Sequence, residues 1–285
     1  MSAGAKAAVE FPDRPGRRAL AKPLRAGRRA LAAYLPATLL LVALVGVWEA
    51  WVRVFDTKPY VLPAPSRVWD AFLETRDILP GHIRTTVAEA AIGLGVAVAV
   101  GVGLALAMAT WPLVRRVFYP ILIVSQTIPM VVLAPLLIIW FGFGLTPKVV
   151  IVALIGFFPI AVATVDGLTG ADGDMIGLIR SMGGRKRAEL WYVRIPAALP
   201  SFFAGLKIAA AYAVLGAVIG EWVGASSGLG IFITRSQNSF RVDRVFVATA
   251  VVALVSIGLF AAVTIAARLA TPWMYIRQGE EEEPL

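Results

Sequence analysis

The chain has 285 residues, of which 59% are hydrophobic and 16% charged, with 27 Lys and Arg against 18 Asp and Glu and no cysteine. That apolar share is too high for an ordinary soluble domain, and the missing cysteines exclude disulfide frameworks, Cys-ligated zinc and iron–sulfur clusters. The basic excess is spread around long apolar windows, so it reads as membrane topology and argues against a nucleic-acid partner.

Residues 1–31, rich in Arg, Ala, Gly and Pro, are expected to form a basic cytoplasmic tail lying near anionic headgroups. The stretch GRRALAAYLPATLLLVALVG (27–46) has the paired arginines of a twin-arginine signal. It runs on through the bulky VWEAWVRVF, where a cleavage site would need small residues, so it reads as an uncleaved first span over 32–54. Five more apolar windows predict spans at 86–109, 117–141, 148–169, 198–223 and 245–270. Together they make residues 32–270 an all-α, polytopic membrane domain of about six helices. An even number of spans puts both termini on one side, and that side carries twice as many Lys and Arg as the other, which predicts a cytoplasmic N- and C-terminus. The final segment, 271–285 with its EEEE run, reads as an acidic cytoplasmic tail.

Span two carries two parallel ladders of small residues, 93/97/101/105/109 and 91/95/99/103/107, which permit very close helix approach and predict a central place in a bundle. Span three holds Pro120, Pro129 and Pro135 together with Ser125, Gln126 and Thr127. Internal prolines free backbone carbonyls and kink a helix. The uncharged polar side chains beside the kink either line a path for a polar solute or only bond neighbouring helices. The intramembrane acids Glu49, Glu89, Asp166 and Glu221 all lie near predicted span ends, so a proton relay across the core is not supported. Glu221, in IGEWVGASSGLG (219–230), either guards the outer mouth of a pathway or pairs locally.

No phosphate loop, HExxH zinc motif or EF-hand loop occurs, so no metal site or cofactor is expected and the chain does not read as an enzyme. GASSG (224–228) matches GxSxG, and His82 lies on the same predicted side. A nucleophile elbow needs a strand-to-helix turn, however, and no acid stands ready to orient His82, so the serines read as turn residues and His82 as an exposed interfacial histidine.

Between spans four and five, Asp172 and Asp174 are natural helix-start residues, and Met175, Ile176, Leu178, Ile179 and Met182 form one apolar stripe. Gly183 and Gly184 break that helix. The next stretch places Ala188, Trp191, Tyr192 and Ile195 on one face, away from Arg185, Lys186 and Glu189, until Pro196 stops it. Two short amphipathic helices thus meet at a glycine elbow over 171–196. Taken alone, they either rest on headgroups or form a docking handle for a soluble partner.

MGGRKRAELWYVRIPAALPSFFAGLKIA resembles the cytoplasmic EAA loop of bacterial ABC-importer permeases: Gly183 takes the glycine place, Val193 and Ile195 the aliphatic places and Pro196 the proline place. The Glu-Ala-Ala triplet is missing, its place being held by Gly177, Leu178 and Ile179. LPAPSRVWDAF (62–72), SQTIPMVVLAPLLIIWFGFG (125–144) and GEWVGASSGLG (220–230) are similar to the branch that serves nitrate, sulfonates, taurine, thiamine pyrimidine precursors and riboflavin. The resemblance implies a type I importer permease fold in a bacterial inner membrane, and a separate ATP-binding subunit under the 171–196 loop. It also implies an extracytoplasmic solute-binding protein and a second permease copy, most simply a homodimer. By the same resemblance Gly183, Gly184, Arg185, Trp191, Ile195 and Pro196 are the expected coupling residues, and Ser125, Gln126, Thr127 and Glu221 the expected pathway. A vitamin or vitamin precursor is the expected solute, with nitrate, sulfonate or taurine as the alternative and an ion-coupled carrier as the competing class.

Overall fold

The computed structural model describes residues 22–273, with side chains from residue 35, and among these the regular structure is helical throughout. The predicted tails 1–31 and 271–285 fall mostly outside the described residues. Helix α1 (Lys22–Val54) starts ten residues before the expected span, and its apolar part, Leu35–Val54, is long enough to cross a bilayer. With the described residues through Thr57, it falls in a unit separate from the rest of the chain. Leu39, Leu40, Leu41 and Val42 are exposed on consecutive positions, and Glu49 pairs with Arg53 one turn on.

The second unit contains the bundle. A short amphipathic helix, α2 (Pro65–Thr75), begins with proline at a position where the missing N–H costs nothing. The membrane-spanning helices are α3 (Leu79–Thr110), α6 (Leu145–Thr169), α9 (Ile195–Trp222) and α11 (Val242–Ala270). Together with α1 they are the five helices long and apolar enough to cross a bilayer among the described residues. The sixth expected span is a bent pair, α4 (Pro112–Ser125) and α5 (Met130–Phe141).

Helix α6 lies between α3 and α9, and these three form the core. Alanines and glycines allow it: Ala97, Ala209, Ala210, Ala213 and Ala217 are buried around Val152 and Ile160. Of the two ladders on α3, one is used. Gly93, Ala97, Gly101 and Ala105 are buried, and a methyl added at Gly93 would overlap Val152, whereas Gly95 and Gly103 face open space. The centre of the bundle is therefore shared by α6 and α9, with α3 laid against them by one face.

The third span is broken outright, by 103°. Pro129 is extended at φ −63°, ψ 120°, and a residue before proline is pushed away from helical geometry, so the break falls at Gln126–Ile128. The carbonyls exposed at the end of α4 are taken locally. Ser125 Oγ donates to Leu122 O at 2.7 Å, Thr127 Oγ1 to Val124 O at 2.8 Å and the Gln126 amide to Ile123 O at 3.2 Å. Pro120 and Pro135 stay inside their helices.

At one end of the bundle α7 (Gly173–Ser181) and α8 (Lys186–Glu189) join α6 to α9. Asp172 caps α7, its side chain accepting from the Asp174 amide at 2.8 Å, and Asp174 sits in the first turn. Pro196 does not stop the following helix. A π-helical turn, Leu190–Arg194, intervenes, in which the Ile195 amide reaches back five residues to Leu190 O, so that the proline falls on the second residue of α9. Helix runs unbroken from Lys186 to Trp222. The inserted residue also turns the predicted face: Trp191 and Tyr192 are exposed, while Ile195 packs toward the bundle core.

Candidate functional site

Three groups of residues stand out. The first is a cavity of about 680 Å³ beside the broken span. Its walls are Gln126, Ile128, Pro129 and Met130 at the break, one stripe of α6 and two residues of α9, Ile208 and Tyr212. On α6 the lining positions are Ile155, Phe158, Pro159, Val162, Ala163 and Asp166, the three-and-four spacing of one helix face. Pro159 has no N–H to give, so the Ile155 carbonyl on that wall loses its helical donor. The cavity therefore offers an amide, a phenol, a carboxylate and a carbonyl on an otherwise apolar and aromatic surface, and its lining includes no Lys or Arg.

Of the four expected pathway residues, Gln126 is in this wall. Ser125 and Thr127 turn their hydroxyls back onto α4 and stabilise the break. Glu221 lies elsewhere and is fully buried. Its Oε1 accepts from Thr86 Oγ1 at 2.6 Å and its Oε2 from the Gly230 amide at 2.5 Å, in the first turn of α10 (Leu229–Asn238). Thr86 Oγ1 in turn accepts from the Leu229 amide at 2.8 Å. The carboxylate thus closes the first turn of α10 and ties it to α3, as an anion at a helix start does. No room is left there for a solute: a methyl at Gly228 or Gly230 would strike the Glu221 side chain. Next to it Lys148 of α6 bonds Glu89 of α3 at 2.5 Å, and both are buried.

Asp166 and Tyr212 were not anticipated as site residues. The signal was present as a polar residue in register with Phe158, Val162 and Pro159 along α6, but nothing in the sequence told that face from the one packed on α3.

The GASSG turn connects α9 to α10. His82 is half-buried, not exposed, and its Nδ1 lies 3.0 Å from the Gly228 amide and 2.9 Å from the Gly228 carbonyl. Ser227 Oγ pairs with Thr85 Oγ1 at 3.2 Å, and the Ser226 carbonyl accepts from Arg235.

The third group is the elbow. Gly183 has φ +81°, which L residues adopt at a cost, and a side chain at Gly184 would press on Ile179 at 2.5 Å. Across it, Arg180 of α7 grips Glu189 of α8 through Nε and Nη2, which donate to its two carboxylate oxygens at 2.7 and 3.1 Å. Such a bidentate pair fixes an angle as well as a distance. No residue of α7 is buried, and Met175, Leu178 and Met182 hold their apolar stripe outward. Arg185, Trp191 and Tyr192 line a shallow cavity on the far side of the elbow in sequence.

A broken span beside a polar-edged cavity, with an amphipathic loop joining two of the helices that line it, is the architecture of a polytopic membrane protein with a cavity among its helices. Residues 97–274 match the family described as binding-protein-dependent transport system inner membrane component, and the chain belongs to that family. It is 37% identical over 240 residues to the formylaminopyrimidine transport permease protein ThiX of Halalkalibacterium halodurans, covering 84% of this chain and 96% of that one. It is 39% identical over 243 residues to the riboflavin transport system permease protein RibX of Chloroflexus aurantiacus, covering 84% and 89%. The taurine transport system permease protein TauC of Escherichia coli is 28% identical over 82% of this chain and 87% of its own. Among solved structures, the fold is similar to a chain of the MetNI methionine ABC transporter, with a TM-score of 0.61 at 20% identity over 70% of this chain and 98% of that one. The protein is the permease subunit of an ATP-binding-cassette importer, a multi-pass inner-membrane component that works with an ATPase and a solute-binding protein.

Proposed function

We propose that the chain imports a small neutral heterocycle, a vitamin or vitamin precursor of the pyrimidine or flavin kind, through a path formed by two identical permease copies. The observation that carries this is the lining of the 680 Å³ cavity: Asp166 is its charged group, Phe158 and Tyr212 supply flat apolar surface, and Gln126 and the Ile155 carbonyl supply hydrogen-bond partners. A ring bearing N–H groups meets complementary chemistry there. Nitrate or a sulfonate meets a carboxylate and no cation, which costs rather than gains electrostatic energy. The ThiX and RibX relatives support the same substrate class. A second copy is supported by the stripe Ile208, Tyr212, Leu215 and Trp222, which α9 leaves exposed although the same helix is the most enclosed of the spans.

In this reading both termini and the α7–α8 loop are cytoplasmic. The outward stripe of α7, with Arg185, Trp191 and Tyr192, seats the loop on the ATPase, and Gly183, Gly184 and the Arg180–Glu189 clamp hold its angle. Ile195 and Pro196 carry the motion into α9, which moves as one rod from Lys186, and the cavity is re-aimed across the membrane as the two copies rock. Gln126 and Asp166 meet the solute, and Glu221, Ser125 and Thr127 hold the helices that frame it.

The test is reconstitution of the chain with its ATPase and binding protein in proteoliposomes, with uptake of formylaminopyrimidine, riboflavin and taurine compared. ATP-dependent uptake of a heterocycle, weakened by Asp166→Asn, is expected. Uptake of taurine with neither heterocycle moving would overturn the assignment.

A further inference from the structure

The loop end of the bundle holds a second polar cavity, of about 390 Å³, that the transport path does not use. Thr110 at the end of α3, Arg180, Lys186, Arg187 and Arg194 line it, with Glu189 as the one carboxylate. Arg180 occupies both oxygens of Glu189, and Arg194 Nη1 donates to the Leu168 carbonyl at 3.1 Å while keeping its positive charge. Four cations against one anion leave an excess of three positive charges at the boundary where α3 leaves the membrane. Trp111 and Leu113, exposed beside it, mark that boundary, since tryptophan favours the headgroup level.

Directly on the membrane side lies an apolar slot of about 170 Å³ between α3, α6 and α9. It is lined by Val102, Leu106, Leu168, Ile195, Leu199 and Phe202. Its one polar side chain, Thr164, spends its hydroxyl on Ile160 O at 2.6 Å. The two spaces adjoin: Leu106 is one turn before Thr110, Ile195 follows Arg194, and the carbonyl bonded by Arg194 belongs to Leu168.

We propose that these two cavities together form a binding site for an anionic glycerophospholipid, with its phosphate and headgroup among Lys186, Arg187 and Arg194 and the first methylenes of one acyl chain in the slot of Leu106 and Phe202. A basic cavity at a bilayer boundary attracts anionic headgroups, and an apolar slot on the same helices accepts a run of methylenes, which inorganic phosphate lacks and an acidic protein surface does not offer as an extended chain. The lipid bridges the end of α3, the α7–α8 loop and the base of α9, three elements whose relative positions set the transmission of force. The leaflet is the cytoplasmic one in the orientation proposed above. The site itself depends on neither that orientation nor the identity of the solute.

Native mass spectrometry of the complete permease–ATPase complex, offered phosphatidylglycerol or phosphatidylcholine of the same chains, tests the proposal. Phosphatidylglycerol should be retained in preference. Removing two cations by Lys186→Ala with Arg187→Ala should weaken its retention by about 30-fold, at roughly 1 kcal/mol for each charge near the surface. Leu106→Trp, which fills the slot and leaves every cation in place, should also abolish retention, and inorganic phosphate should not displace the lipid from the native complex. Equal retention of the two lipids, or retention unchanged in both variants, would overturn the site. So would displacement by inorganic phosphate with Leu106→Trp silent, which would make it a phosphate site. Loss of the ATPase from the Lys186→Ala, Arg187→Ala complex with lipid still bound would assign those cations to the protein partner instead.

Discussion

Replacing Glu221 separates a framing role from a solute-contacting one. In Glu221→Ala the Gly230 amide, buried at the start of α10, loses its acceptor, and an unpaired buried N–H costs about 1–3 kcal/mol. Thr86 is less affected, because its hydroxyl has the His82 carbonyl at 3.2 Å as a second acceptor. With the space left by the side chain added, the total is about 2–4 kcal/mol, or a fall in melting temperature of roughly 5–10 °C for a domain of this size. Glu221→Gln keeps an oxygen for the Gly230 amide and should lose less than half as much. The assay pairs thermal melting of the purified permease with the solute KM of the reconstituted importer. The expected result is a lowered melting temperature with KM unchanged in the protein that survives. A normal melting temperature with a shifted KM would refute the framing role and return Glu221 to the pathway.

Three further outcomes follow from the geometry. Gly93→Ala should destabilise by about 1–3 kcal/mol because the added methyl overlaps Val152 in a close-packed contact, whereas Gly95→Ala, which meets open space, should melt like the native protein. Equal effects at the two sites would mean that the buried ladder is wrongly assigned. Gly183→Val places a branched side chain at φ +81°, and it should leave the permease inserted and ATP hydrolysis running while uptake falls; full ATP-driven uptake would remove the elbow from the coupling path. Glu74 is held below its ordinary value of 4.5, chiefly by the hydrogen bond from Arg241 and then by that from Arg244. A depressed carboxylate contributes stability above its unfolded pKa and loses it as pH falls through its folded one. Melting curves of native protein and Glu74→Gln should therefore differ slightly at neutral pH and converge in acid, and a gap that widened in acid would contradict the pairing.

Much of this architecture was legible because its signals are local. Apolar length located every span, Asp172 marked the start of α7, and Gly183–Gly184 marked the elbow. Proline spacing located the break in the third span but not its size, because whether a helix kinks or turns by 103° depends on what fills the opening, here a cavity walled by α6 and α9. Pro196 misled for a related reason: a π turn absorbs a missing N–H without leaving a periodic trace. The side-chain partner of Glu221 is 135 residues away in sequence and that of Glu89 is 59, so neither Thr86 nor Lys148 could be assigned from spacing. The two ladders on α3 are equivalent in composition, and the choice between them was made by α6.

The central claim is that the cavity at the broken third span is the solute's way through. The chain has no cysteine of its own, so a single introduced thiol is the one labelling site on the permease. Val162→Cys, in the cavity wall, should react with a membrane-impermeant thiol reagent, at a rate that changes when ATP closes the ATPase and falls when solute is present. Val100→Cys, on the exposed face of α3, should be inert throughout. A Val162→Cys thiol as inert as the Val100→Cys one, in the presence and absence of ATP, would contradict the account.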